Sequence, residues 1–458
     1  MDVIKKRDNL KYILIYGALI GLYQIVMKEY YGDTLAYFAR AIQDMNMSSL
    51  LAELYIRYMS WTSRILIELP LFILAHGMHM VLFGIANWLV HIMLLLSLMR
   101  LTDYKHNRVL TCLMLMYPVA LMAGSGWMTA YITYFWPLSF GITAMVSLKK
   151  MFDGAKVGII EGVFYLLCLI FAVDLEVCAV FYTCILATFC FLMFWDKKFS
   201  SKYVVYTALQ LVMCTCGIVF ALTCPGNEAR KISNITFWFP NYTSFTVIDK
   251  AVLGVNSAFI NLYTHDVFWF VLCFVVCALT LAKNKDNIIL MIEGVVPFTF
   301  IIFWNILKNF VYGYYPEIVD LFEAFDKNKY VDSTNYNSPA VYIPFVIYMF
   351  LIVMLLLSIL NLFNDERKGF LACAIIVSGI ISRLTLGFSP TVFTSGKRTF
   401  IFADFAIIFV LLLMAEAFVP EIKKDNEKVL VLCRSLMVIA TGFVVLANFV
   451  AVCSVYLY

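Results

Sequence analysis

Apolar residues run through this chain in long blocks, broken at intervals by short charged clusters. A membrane-spanning helix needs about 20 mostly apolar residues, with a range of about 17–25. Blocks of this kind predict about thirteen spans, at 11–27, 79–99, 108–124, 136–149, 157–173, 177–195, 203–222, 266–282, 288–306, 341–363, 370–387, 400–419 and 429–457. The blocks at 136–149 and 157–173 are short. The first block lacks a small-x-small cleavage site and runs directly into aromatic and charged residues, so it reads as a retained helix.

Between the first two long blocks the pattern changes. Leu35, Phe38, Ala39, Ile42 and Met45 follow the i, i+3, i+4, i+7 spacing of a helical stripe, and Leu50, Leu51, Leu54, Tyr55 and Tyr58 repeat it. This predicts two short amphipathic helices lying flat on the membrane surface, the second capped by Ser48 or Ser49. The apolar stretch 65–78 that follows reads as a half-inserted helix.

Composition turns this pattern into a fold class. The 458 residues are 63% hydrophobic and 14% charged, against about 45–50% and about 25% in soluble domains. Lipid must therefore be the solvent for much of the chain. The expected architecture is all-α and polytopic, one integral-membrane domain over 1–458. The net charge of +4 is small and spread out, which points to membrane lipids and not to nucleic acid as the surroundings. Thirteen cysteines, mostly inside apolar runs, match no zinc spacing and read as small hydrophobic residues.

Basic residues then give an orientation. Lys5, Lys6, Arg7 and Lys11 precede the first span, and every second loop is also basic: Arg100/Lys105/Arg108, Lys149/Lys150/Lys156, Lys197/Lys198/Lys202, Lys283/Lys285, Arg367/Lys368 and Lys423/Lys424/Lys428. Cytoplasmic loops carry such an excess, so the N-terminus is expected inside. The opposite face holds the long segments 28–78, 224–265 and 307–340 and the shorter turns 125–135, 174–176 and 388–399. Function sits on such loops more often than on minimal connectors, so the active face is expected to be extracytoplasmic.

Candidate chemistry gathers on that face. Asp33, in Gly32-Asp33-Thr34, is either the N-cap of the next helix or a general base that takes a proton from a hydroxyl. Trp61 and Arg64 are either interfacial anchors or an aromatic platform for a sugar and a cation for a phosphate. Gly124-Ser125-Gly126-Trp127 and Tyr131 through Trp136-Pro137 form an aromatic turn suited to carbohydrate or a polyprenyl chain. Asp174-Leu175-Glu176 sets two acids beside the membrane, Glu176 being the better functional candidate. Pro225-Gly226-Asn227 reads as a turn, and it is followed by Arg230 on the side where basic residues are scarce. Arg383 lies deep in a predicted span, and Lys397-Arg398 precede another. With Arg230 these could surround a phosphate. The few, dispersed histidines form no convincing metal site. No nucleotide-cradling loop is present, so no cofactor is expected.

In this order the features resemble bacterial members of the GT-C superfamily of integral-membrane glycosyltransferases, and most of all the branch near the O-antigen glucosyltransferases that modify surface polysaccharides. The resemblance rests on Gly32-Asp33-Thr34, Trp61-Thr62-Ser63-Arg64, Gly124-Ser125 with Tyr134 and Trp136-Pro137, Glu176, and Pro225-Gly226-Asn227 with Arg230. It covers roughly residues 1–240, with Gly396-Lys397-Arg398 as a weaker match. Thr34 stands where many relatives have a second acid.

The resemblance implies a GT-C-like fold with amphipathic helices in the first outer loop. It also implies transfer of a sugar from a polyprenyl-phosphate donor to a surface glycan or teichoic-type acceptor at the outer leaflet of the cell membrane. Asp33 would be the base and Glu176 would orient the acceptor. Arg230, Lys397, Arg398 and Arg383 would hold the donor phosphate. Trp61, Arg64, Tyr134, Trp136 and Asn227 would line the groove. Two other readings share these features: a polysaccharide polymerase or ligase, relying on its arginines, and a flippase or transporter of lipid-linked sugar.

Overall fold

The computed structural model describes residues 2–29, 32–198, 200–327 and 330–454, with side chains described from residue 9 onward except at 321, 322 and 324–326. Lys5, Lys6 and Arg7 thus have side chains outside the described residues, as does the end of the predicted span 429–457 beyond Ser454.

All regular elements among the described residues are helices. Ten are long and apolar enough to cross a bilayer: Asn9–Val26, Met80–Leu101, Trp127–Phe152, Glu176–Trp195, Ser201–Thr223, Ile288–Tyr312, Pro339–Leu362, Glu366–Phe388, Lys397–Asp425 and Glu427–Ser454. Val247–His265 and Val267–Lys283 meet at a bend of 75° and could supply one more.

Two predicted spans are shorter than expected. The stretch 108–124 divides into a helix, Asn107–Leu115, and a 3-10 turn, Val119–Met122. Pro118 is the cause, because it lacks an N–H and disfavours helical geometry at Tyr117. Nine residues rise only about 14 Å, less than half of a bilayer core. The freed backbone groups still need partners in an apolar setting. Asn448, from the last helix, supplies them: its Oδ1 accepts from the Val119 N–H at 3.2 Å and its Nδ2 donates to the Tyr117 carbonyl at 2.9 Å. The second short stretch is Ile159–Val173, 15 residues long, which ends at Asp174.

The chain clusters into two compact units, residues 1–230 with 411–458, and residues 231–410. In the first, polar side chains bridge neighbouring helices. Tyr16 bonds His91 at 2.8 Å, Trp136 donates to Asn87 at 3.0 Å, Ser97 meets Thr143 at 2.9 Å, and Gln210 links Tyr182 to Ser147. Such bonds join helices where lipid tails remove the hydrophobic drive to associate, each worth about 0.6 kcal/mol on average. In the second unit, Tyr242, Phe245, Leu253 and Val392 form a buried cluster, and the Tyr242 hydroxyl donates to the Gly387 carbonyl at 2.9 Å.

The segment between the first two long apolar blocks is helical, as its stripes require. A π-helix, Thr34–Ala39, continues into Arg40–Ile42 and buries Phe38, Ala39 and Ile42. The second helix is Met47–Ser60, burying Leu50 and Leu54 while Leu51 and Tyr55 are exposed. Its cap is Asn46, not Ser48 or Ser49. The Asn46 Oδ1 accepts the Ser49 N–H at 2.9 Å and both serine hydroxyls, so the serines are donors to the cap. The 65–78 stretch forms an 11-residue helix, Ile65–Ala75. Arg57 joins the last two through a bidentate pair with Glu68, both contacts at 2.6 Å. The Arg57 guanidinium also lies 5.1 Å from the Phe38 ring centre and 5.8 Å from that of Phe72, so one cation ties all three helices together.

Candidate functional site

Two motifs far apart in sequence are built as one structure. Gly32 and Gly126 both adopt left-handed backbone, at φ +86° and +90°. Their chains approach so closely that a Cβ on Gly32 would lie 2.6 Å from the Gly126 nitrogen. The Asp33 N–H donates to the Ser125 carbonyl at 2.9 Å. Glycine is required on both sides, because each strand is the other's wall.

The helix that starts at Trp127 is capped from this segment. Its first N–H groups have no intrahelical acceptor. The Glu29 carboxylate accepts from Trp127 at 3.0 Å and Met128 at 2.9 Å, and the Thr34 hydroxyl accepts from the Thr129 N–H at 3.2 Å. Burial raises the Glu29 pKa above the ordinary carboxylate value, although these donors and Thr34 pull the other way.

Thr34 is wholly buried and also bonds the Thr129 hydroxyl at 2.8 Å. The position expected to hold a second acid is thus a packing and capping position in this chain. Asp33 itself is half-buried, and its side chain makes no capping bond to the helix it precedes. The N-cap reading of Asp33 is therefore set aside.

A second cluster forms where 61–64, 174–176 and 224–230 meet. Arg64 grips Glu176 through two bonds, Nε to Oε2 at 3.0 Å and Nη2 to Oε1 at 2.8 Å. Arg230 Nη2 lies 3.8 Å from the same Glu176 Oε1. Two cations therefore share one carboxylate. Burial works against the Arg64 charge, but Glu176 outweighs it and holds Arg64 above its ordinary pKa. Arg230 is pulled below its ordinary value, first by burial and then by repulsion from Arg64. Taken by themselves, Arg64, Arg230 and Glu176 carry one net positive charge.

The neighbouring residues hold this cluster in place. The Asp174 carboxylate accepts the Ile67 N–H at 2.9 Å, capping the 65–75 helix from another element. Burial pushes Asp174 up to about 7, against the pull of Ile67, Arg64 and Leu66. Pro225-Gly226 marks a break: the preceding helix ends at Thr223, Cys224 is extended, and a new helix, Pro225–Trp238, begins with Pro at its first position, where a missing N–H costs nothing. A Cβ on Gly226 would lie 2.6 Å from the Tyr58 carbonyl oxygen, so glycine lets this helix seat on the 58–62 backbone. The Asn227 amide donates to Ser63 Oγ at 3.1 Å and to the Ala221 carbonyl at 2.7 Å.

Arg64, Glu176, Arg230 and Asn227 thus converge, and Trp61 stands exposed beside them; Tyr134 lies in the π-helical turn Tyr131–Phe135. Trp136 does not join them. It is buried, with its indole on Asn87 and its ring near Phe171, and it packs the bundle.

Arg383, Lys397 and Arg398 belong to the second unit. Arg383 is buried, 4.6 Å from the Phe400 ring centre, and Lys397 and Arg398 lie in the 3-10 turn Lys397–Phe400.

Three acids had no part in the sequence reading: Glu29 and Glu68 in the first unit, and Asp404 in the second. Asp404 lies inside the apolar run 400–419, and an acid in such a run was itself the signal. Among the described residues, no group of three or more His, Cys, Asp or Glu side chains is placed to hold a metal. Comparison with protein-family models, with curated proteins and with solved structures finds no match.

Proposed function

We propose that this multi-pass membrane protein is a glycosyltransferase of GT-C type. It would move a sugar from a polyprenyl-phosphate donor to a surface glycan or teichoic-type acceptor, at the extracytoplasmic face of the cell membrane with the N-terminus inside. The observation that carries the reading is the arrangement of Arg64 and Arg230 around a single carboxylate, Glu176. The donor phosphodiester, which leaves as a phosphate monoester with added charge, needs such a cationic seat, and Arg230, held by one long contact, is the cation with capacity to spare.

The chemistry follows from the residues. The bond between the sugar's anomeric carbon and the phosphate oxygen breaks, and a bond from the acceptor hydroxyl oxygen to that carbon forms on the opposite face. The hydroxyl proton passes to Asp33. The electron pair leaves with the polyprenyl phosphate, whose charge Arg230 and Arg64 stabilise. Trp61 offers the sugar an aromatic face.

The test is an in vitro transfer assay with polyprenyl-phosphate sugars. Asp33→Asn should lose about 10²–10⁴-fold in turnover, and Arg230→Ala should weaken donor use. Full activity in Asp33→Asn removes Asp33 as the base. If Arg230→Ala alone is inactive, the polymerase or ligase reading takes over. Movement of lipid-linked sugar between leaflets without product would establish a transporter.

A further inference from the structure

The second unit holds a cleft that the proposed transfer does not use. It is an open cavity of about 220 Å³, lined by residues of Val247–His265, Val267–Lys283 and Ile288–Tyr312. Two local irregularities border it. One is the 75° bend at Asp266, where extended backbone separates the first two helices. The other is a π-helical turn, Phe303–Leu307, inside the third. Single-turn insertions of this kind are frequent at functional sites.

Most polar groups in the wall are already committed. The last carbonyls of a helix have no intrahelical donor. The Asn305 amide, on the π-helical turn, donates to the Tyr263 carbonyl at 2.9 Å and to the Ile301 carbonyl at 3.0 Å. The Thr264 hydroxyl donates to the Ile260 carbonyl. Asp266 Oδ1 accepts the Trp269 N–H at 2.8 Å, capping the helix that starts at Val267. His265 adds one exposed imidazole at the bend. The rest of the lining is mainly hydrocarbon. Tyr263 and Ile301 are buried and Ile302 is half-buried, while Val267, Phe270 and Ile306 are 46%, 40% and 65% exposed.

The exposed members decide what the cleft opens to. Val267 and Phe270 lie on a helix of the bent apolar pair, and Ile306 lies inside the spanning helix Ile288–Tyr312. Apolar side chains exposed on such helices face lipid. A mouth rimmed by them admits hydrocarbon. The volume is below the roughly 300–1,000 Å³ of pockets that enclose a whole small-molecule ligand, so the cleft suits one chain and not an entire lipid.

We propose that this cleft is a lipid-binding site, which takes one hydrocarbon chain of a bilayer lipid between the bent pair and Ile288–Tyr312. The surrounding bilayer is as apolar as the cleft, so the chain is held by van der Waals fit to the walls and not by escape from water. Filling the cleft removes that fit. Changes on the lipid-facing surface elsewhere leave it intact.

The experiment is photocross-linking of the full chain in phosphatidylcholine vesicles. These carry a trace of phosphatidylcholine with a diazirine in one acyl chain, and the adducts are mapped by peptide mass spectrometry. Val205 and Val212, 69% and 56% exposed on Ser201–Thr223, give the reference for ordinary bilayer contact. Residues 263–270 and 301–306 should be labelled several-fold above that reference. Ile302→Trp, which fills the cleft, should bring their labelling down to it and leave Ser201–Thr223 unchanged. Equal labelling of cleft and reference in the unmutated chain overturns the proposal, and so does cleft labelling that survives Ile302→Trp. Should that variant fail to fold, Val267→Trp at the mouth takes its place with the same expected loss. The labelling is independent of sugar transfer, so it stands or falls apart from the glycosyltransferase reading.

Discussion

The sharpest consequence of the Arg64–Glu176–Arg230 cluster is a change of sign. In the unmutated chain, Arg230 gains from Glu176 at 3.8 Å and loses to Arg64, so the two neighbours act in opposite directions. Unit charges about 4 Å apart interact by roughly 4 kcal/mol at an effective dielectric of about 20. The Glu176 side chain is a third exposed, and the arginines are about a fifth exposed, so solvent screens much of this. A net coupling of about 1–2 kcal/mol between Arg230 and Glu176 is the expected remainder. Arg230→Ala alone should then cost at most about 1 kcal/mol, a typical exposed pair. In a Glu176→Gln background the same substitution should stabilise, because it removes a cation from beside an Arg64 that has lost its partner. The assay is equilibrium unfolding in mixed micelles for the wild type, both single variants and the double, read as a double-mutant cycle. If Arg230→Ala shifts stability equally with and without Glu176, the three groups are not electrostatically coupled, and the argument for an anion seat fails with them.

Asp174 gives a pH prediction. Its folded value of about 7 lies above the ordinary 3.8, so the folded state binds the extra proton, and stability is lost as pH rises through the window from about 4 to about 7. Asp174→Asn should remove roughly 3–4 kcal/mol of that slope and unfold later than wild type at pH ~8 but not at pH ~4; parallel pH profiles for the two proteins would refute the assignment. Thr34→Val should cost about 1–3 kcal/mol by stripping the Thr129 N–H of its acceptor in a buried place, while Thr34→Ser stays near wild type in the same unfolding assay.

The helical, membrane-spanning class was legible because apolar block length is a direct reading of bilayer thickness. What was not legible is where a block breaks. Tyr117-Pro118 marked a break in 108–124, but whether a break is tolerated depends on Asn448, more than three hundred residues away, accepting and donating to the exposed backbone. The pairing of Gly32 with Gly126 was hidden for the same reason. Each glycine reads alone as a turn, and only their mutual approach shows that both motifs form one joint. The convergence of Arg64 with Glu176 was half legible. Both motifs were placed on one face, yet nothing in the spacing shows two hydrogen bonds between them.

Two acids beside the candidate site residues are taken up by helix capping, and one rule accounts for both. Helix N-termini that are buried against the bundle must find acceptors. Glu29 and Asp174 meet that need for the helices at 127 and 65, each with backbone N–H groups on its carboxylate. Their oxygens are committed to the backbone, and burial disfavours their ionised forms. The other acid of each pair, Asp33 and Glu176, is thereby released from capping. Glu176 turns to two arginines, and Asp33 makes no cap. The division of labour also explains why the capping acids lie so close to the candidate functional ones. A cap held by a neighbouring element fixes the backbone on both sides of it, and the acid a few residues away inherits that rigidity.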